Sequence, residues 1–210
     1  MSKQGILTVV SGFSGAGKGT VMKALLNKYN YSLSVSATTR KPRVGETHGK
    51  EYFFLTREQF ESMIEQGNLI EWAEYVGNYY GTPKDYVVSQ LKDGIDVILE
   101  IEIQGALKVR EQFPEAVLLF ILPPNVTELK NRLIGRGTES IETIQKRIDR
   151  AAEEAAYMDD YDYLVLNSTV DQCVEDIHKI ISAEHFKTAK NEVLMQAINA
   201  EFNAWKRGDI

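Results

Sequence analysis

The chain has 210 residues, 43% hydrophobic and 26% charged, with 24 basic and 30 acidic side chains and a formal net charge of -6. These proportions exclude a disordered, collagen-like or low-complexity chain, and the length is enough to bury a substantial core. The acidic balance disfavours nonspecific binding to nucleic acid or to an anionic membrane. No apolar run approaches the roughly 20 residues of a membrane helix, and the opening MSKQGILTVV holds too short an apolar stretch for a signal peptide. The single Cys173 leaves no internal disulfide, which fits a reducing compartment. The expectation is a cytoplasmic protein with neither a nucleic-acid nor a membrane partner.

In chain order, residues 6–10 form a nearly continuous aliphatic run, followed by a glycine-rich turn and an amphipathic stretch over 18–28. Further apolar runs at 97–101, 117–122 and 163–166 suit strands covered on both faces, as in a parallel sheet. Between them, 83–92, 106–111, 127–134 and 141–158 read as helices. The alternation implies right-handed crossovers and an α/β fold. Two stretches break the rhythm. Residues 34–81 are rich in turn residues and aromatics, which predicts a small insertion of antiparallel strands. Residues 123–157 are helical, highly charged and interrupted by Gly135-Arg136-Gly137, which suits either a flap or a solvated helix pair. At the end, Leu194, Ile198, Phe202 and Trp205 recur at helical spacing; packing against the core is the favoured expectation, a subunit contact the alternative. His48, His178 and His185 lack metal spacing, and Cys173 reads as core.

The strongest single signal is Gly12-Phe13-Ser14-Gly15-Ala16-Gly17-Lys18, placed between the first strand and the first helix. Such a loop curls its backbone N–H groups around phosphate, and the helix adds its free N–H groups and positive dipole end. Lys18 then bridges the terminal phosphates of a nucleoside triphosphate. The slot after the lysine, usually Ser or Thr, holds Gly19, with Thr20 next. A magnesium-binding hydroxyl is therefore missing from its usual place.

Downstream stand Ser36-Ala37-Thr38-Thr39-Arg40-Lys41-Pro42-Arg43, Gly49 to Phe54, Ile70-Glu71-Trp72-Ala73, Gly77 to Thr82, Leu99 to Gly105, Arg132 to Gly137, and Asn167. Taken together and in this order, these motifs resemble the guanylate kinase family from about Gly5 to Ser182. Two arginines flanking a proline suit a monophosphate, which Arg can grip bidentately. Guanine's adjacent N1–H and amine suit one carboxylate.

The resemblance implies a P-loop three-layer fold with a parallel core sheet (1–33, 83–125 and 158–186), a GMP-binding insertion (about 34–82), a helical lid (about 126–157) and a helical tail (187–210). It implies transfer of the ATP γ-phosphoryl group to GMP, with Mg²⁺, in purine nucleotide metabolism. It assigns the ATP phosphates to Gly12 through Thr20, adenine to Asn167, and the transferring group to Lys18, Arg132, Arg136 and Arg147. GMP falls to Ser36, Arg40, Arg43, Tyr52, Glu71, Tyr80, Thr82 and Glu100. Thr20 and Glu102 are the metal-side candidates, through water. Arg150 has no such counterpart. The rivals are another small P-loop kinase, for adenylate or a sugar phosphate, and a non-catalytic guanylate-kinase-like binding module. A homo-oligomer is left open.

Overall fold

The computed structural model describes residues 4–75, 77–135 and 140–207. Its core is a five-stranded, all-parallel sheet made of β1 (Leu7–Gly12), β2 (Ser32–Leu33), β7 (Val97–Glu100), β8 (Val117–Leu122) and β9 (Tyr163–Leu166), in the order β2-β7-β1-β8-β9. β1 is buried at all six positions, which explains its unbroken apolar sequence: helices cover both faces. Those helices include α1 (Lys18–Lys28), α3 (Lys84–Lys92), α4 (Ile103–Gln112) and α7 (Val170–Glu184). Cys173 lies on the inner face of α7 beside Val174 and Ile177, and burial pushes its thiol up to about 11. It packs like a small hydrophobe and has no nucleophilic character.

The insertion folds as a second sheet of four strands, β3 (Ala37–Thr38), β4 (Phe53–Phe54), β5 (Leu69–Tyr75) and β6 (Asn78–Pro83), ordered β4-β3-β6-β5. Two details differ from the expectation. β3 and β4 are parallel, because the long segment between them carries the chain back to the same end before it re-enters the sheet. A helix, α2 (Arg57–Glu65), was also not foreseen; it starts from a full capping box in which Thr56 and Gln59 satisfy each other's backbone N–H groups,. Its buried Phe60 packs with Ala37 and Leu69 as a small separate core.

Two helices in contact with each other, α5 (Val126–Gly135) and α6 (Ile141–Ala155), bury Leu129, Leu133, Ile144 and Ala151 against the main core. Arg136 and Gly137 lie outside the described residues. The tail overturns its expectation. α8 (Glu192–Arg207) forms where the spacing predicts it, yet it buries no residue, and Leu194, Ile198, Phe202 and Trp205 are all exposed. Asn191, whose side chain donates to the carbonyls of His185 and Lys187, anchors the start of the helix and directs it away from the core.

Candidate active site

The carboxyl ends of parallel strands gather ligands in such sheets, and here the central strand β1 ends there in the glycine-rich loop. Gly12, Gly15 and Gly17 hold positive φ values of 152°, 98° and 93°. A Cβ at Gly12 would stand 2.4 Å from the Ile121 carbonyl oxygen, and one at Gly17 would stand 2.7 Å from Asn167 Nδ2. The loop therefore needs glycine for both conformation and space. α1 begins at Lys18 with no side-chain cap on its N-terminus, so its first N–H groups stay available to an anion. The Lys18 ammonium donates to the carbonyls of Gly12 and Phe13, which holds its charge beside the loop's concave side.

Two residues brace this loop from behind. Buried Asn167, just past β9, donates from Nδ2 to the Ala16 carbonyl at 2.8 Å. Arg132 on α5 donates to the same carbonyl at 3.1 Å and to the Asn167 carbonyl at 2.9 Å, while Glu128 holds its Nε at 2.8 Å. Thr20 is exposed on α1. The gap left by Gly19 faces a carboxylate, since a Cβ there would lie 3.9 Å from Glu100 Oε1. Glu100 ends β7 in the cleft floor, where the surrounding protein raises its pKa by desolvation and the Lys18 ammonium acts against that rise.

Opposite the loop, a cleft of about 440 Å³ opens between the two sheets. Ser36, Tyr52, Glu71, Tyr80 and Glu100 all line it, together with Gly105 at the start of α4. Among the described residues, no histidine or cysteine lines it. Glu71 is its chemical centre. It is 9% exposed, its Oε1 accepts from Thr82 Oγ1 at 2.7 Å, and Gly105 leaves room for Oε2, which a Cβ there would approach to 3.1 Å. Burial raises the Glu71 pKa, with Thr82 and then Lys108 opposing. Such a carboxylate has one oxygen committed to the protein and a second directed at the first turn of a helix. It is poised to accept from a donor pair on a ligand.

At the cleft's outer end, Arg40 lies over the Tyr52 ring, its guanidinium 5.3 Å from the ring centre. Its Nη2 donates to Glu46 Oε1 at 2.9 Å, and the Arg43 backbone N–H donates to Glu46 Oε2 at 2.7 Å. That backbone bond, with Arg40, lowers the Glu46 pKa. Glu46 was not singled out in the sequence, although Gly45 before it is a turn signal, and the turn it makes at φ 89° closes with the Glu46 N–H donating to the Arg43 carbonyl,. Two residues that the sequence left without a role also line the cleft: Gly105, the last of the motif from Leu99, and Arg150, set aside there for want of a counterpart, whose guanidinium donates to Glu102 at 2.8 Å. Glu102 itself is exposed. Arg147 lies part-buried on α6.

The cleft thus holds a buried carboxylate, with Arg40 over its Tyr52 and Gly19 of the glycine-rich loop beside its Glu100, and comparison with known proteins gives this arrangement a lineage. The family model described as guanylate kinase matches residues 4–184. A guanylate kinase of Caldanaerobacter subterraneus subsp. tengcongensis is 53% identical over 96% of this chain and 98% of its own. One from Shouchella clausii is 57% identical over 88% and 91%. The crystal structure of guanylate kinase from Anaplasma phagocytophilum superposes with a TM-score of 0.71 at 34% identity, covering 90% of each chain. Sequence, fold and cleft agree, and the chain belongs to the guanylate kinase family.

Proposed function

We propose that the chain transfers the γ-phosphoryl group of ATP to GMP, giving ADP and GDP, in purine nucleotide metabolism. The observation that carries this reading is Glu71, a buried carboxylate bonded to Thr82 in a cleft whose Glu100 lies beside Gly19 at the end of the phosphate loop. Its remaining acceptor capacity suits guanine's N1–H and exocyclic amine. Adenine would present an unprotonated N1 there and leave the charge unsatisfied. Ser36 in the cleft wall serves the base edge. Arg40 and Arg43 bind the GMP phosphate, with the Tyr52 and Tyr80 hydroxyls beside them, and Glu100 receives the ribose side.

On the donor side, the backbone of Gly12 through Gly19 and the start of α1 cradle the triphosphate, and Thr20 stands at its edge. Asn167 lies beside the adenine. The GMP phosphate oxygen forms a bond to the γ-phosphorus as the bond to the β–γ bridging oxygen breaks. The electron pair leaves on ADP, and no side chain need take a proton. Catalysis is therefore positioning and charge neutralisation. Lys18 supplies a fixed positive charge; Arg132, Arg136 and Arg147 supply the rest. Arg132 does so while tying the phosphate loop to α5, so that closure of the helical lid and loop geometry are mechanically linked,. Among the described residues no three His, Cys, Asp or Glu side chains form a metal-holding group. The hard oxygen donors Thr20 and Glu102 would hold a Mg²⁺ ion through its waters. When bound it would offset the negative charge of the triphosphate.

A coupled assay of ADP release across GMP, AMP, CMP and UMP tests the reading. A kcat/KM for GMP exceeding that for AMP by about 10⁴-fold is expected of a site built on substrate hydrogen bonds. Comparable values for the two would overturn it.

A further inference from the structure

The helix α8 extends beyond the part of the chain that the family model matches, which ends at residue 184. Its sixteen residues carry a long apolar stripe, yet Leu194, Phe202 and Trp205 are 61%, 61% and 67% exposed. A helix of this length has little stability by itself in water, and an apolar stripe of this kind gains its stability by being covered. We infer that α8 is a self-association surface, on which the α8 of a second copy of this chain lies antiparallel.

The pattern of the helix specifies that occupant. Met195, Ile198, Phe202 and Trp205 are spaced 3, 4 and 3 apart, the seam of a two-helix coiled coil. Ala197, Ala200 and Ala204, with Gln196 and Asn203, fill the opposite face, whose one large apolar side chain is Val193 near the helix start, 55% exposed. A two-fold axis near residue 200 sets Met195 against Trp205 and Ile198 against Phe202, so each layer pairs an aliphatic with an aromatic side chain. A parallel pair would stack Trp205 on Trp205 and Phe202 on Phe202. The flanking charges follow the same symmetry: Glu192 faces Lys206 of the second copy, and by the two-fold axis Lys206 faces its Glu192. In this arrangement the globular bodies, attached at the N-terminal ends, fall at opposite ends of the helix pair. A contact of this size falls near or below the ~1,200 Å² of a standard interface, so the dimer is reversible. The nucleotide cleft stays outside it.

Sedimentation velocity of the full chain over a concentration series tests the inference. A shift from 23.7 kDa to twice that mass is expected with rising concentration. Phe202→Glu should weaken association at least ~100-fold while kinase activity and the far-ultraviolet spectrum persist, because both Phe202 side chains leave the seam at once. Glu192→Lys should weaken it about tenfold, and Glu192→Lys with Lys206→Glu should restore it. A monomer at every concentration, including one in which α8 folds back on its own domain, would overturn the inference. So would a dimer untouched by Phe202→Glu; one weakened by it but indifferent to Glu192→Lys would overturn the antiparallel register.

Discussion

Glu71 carries two opposed demands. Recognition of guanine needs the carboxylate, while burial favours the acid, and its pKa is raised accordingly,. Because the folded-state pKa stands above that of the unfolded chain, the ligand-free fold holds this proton more tightly. Its stability from this group therefore falls as pH rises through the interval between the two values. Glu71→Gln removes the charge without changing the shape. The variant should melt higher than wild type at pH 7, by about 2–4 °C for each kcal/mol recovered, while losing most GMP turnover; a lower melting temperature would contradict a desolvated carboxylate. Acidification from neutral pH should raise the KM for GMP in wild type, and this pH dependence should vanish in the variant. Glu46 makes a different prediction. By tying the Arg40 side chain to the Arg43 backbone, it arranges both cationic groups before phosphate arrives. Glu46→Gln weakens a charge-assisted bond, so the KM of every monophosphate should rise about tenfold. The GMP-to-AMP ratio should stay fixed, since the base is read elsewhere. A falling KM would mean instead that Glu46 competes with phosphate.

At the scale of elements, the start of α4 is shaped around the ligand side chain it faces. Gly105 is a helical residue, and alanine there would ordinarily favour the helix by up to ~1 kcal/mol. A methyl group, however, would sit 3.1 Å from Glu71 Oε2, closer than comfortable contact, and would push the carboxylate a few tenths of an ångström. Gly105→Ala should thus keep or raise the melting temperature while increasing the KM for GMP about tenfold, with little change for AMP. An unchanged KM would show that the carboxylate gives way without cost. This device was only half legible in the sequence. The motif from Leu99 to Gly105 stood out, but a glycine inside a helix reveals its purpose only when a residue from the other sheet is brought against it. The strands β1, β7, β8 and β9 were legible because burial on both faces leaves an unbroken apolar run. α2 was not: it has one buried residue, Phe60, so its apolar stripe is too weak to stand out, and its capping box is what betrays it. The tail misled for a related reason. Its periodicity states that one face must be covered and is silent on whether the cover comes from the same chain.

Across the whole molecule, the proposed function sets the two nucleotides where the two sheets and the α5–α6 pair converge, each substrate mainly against a different layer. The phosphate loop belongs to the core sheet, and its bracing comes from α5 through Arg132 and from the end of β9 through Asn167. The cleft proposed for guanine is shared: Glu71, with its partner Thr82, comes from the second sheet, Glu100 and Gly105 from the core. A ligand in that pocket therefore ties the two sheets together, and its effect on stability reports on this geometry without any catalytic step. A ligand bound only by the folded state stabilises it by about 2.7 kcal/mol at a hundredfold excess over its dissociation constant. For a chain of this length that corresponds to about 5–10 °C in melting temperature. GMP without ATP should produce such a rise, and AMP at the same concentration should not. Glu71→Gln should abolish the rise at that concentration, since its guanine-specific bonds are gone. Lys18→Ala should leave the GMP shift intact, because Lys18 serves the phosphate loop, while lowering kcat by orders of magnitude through loss of a fixed charge at the transferring group. If Lys18→Ala removed the GMP shift as well, the division between donor and acceptor sites drawn from this cleft would be wrong.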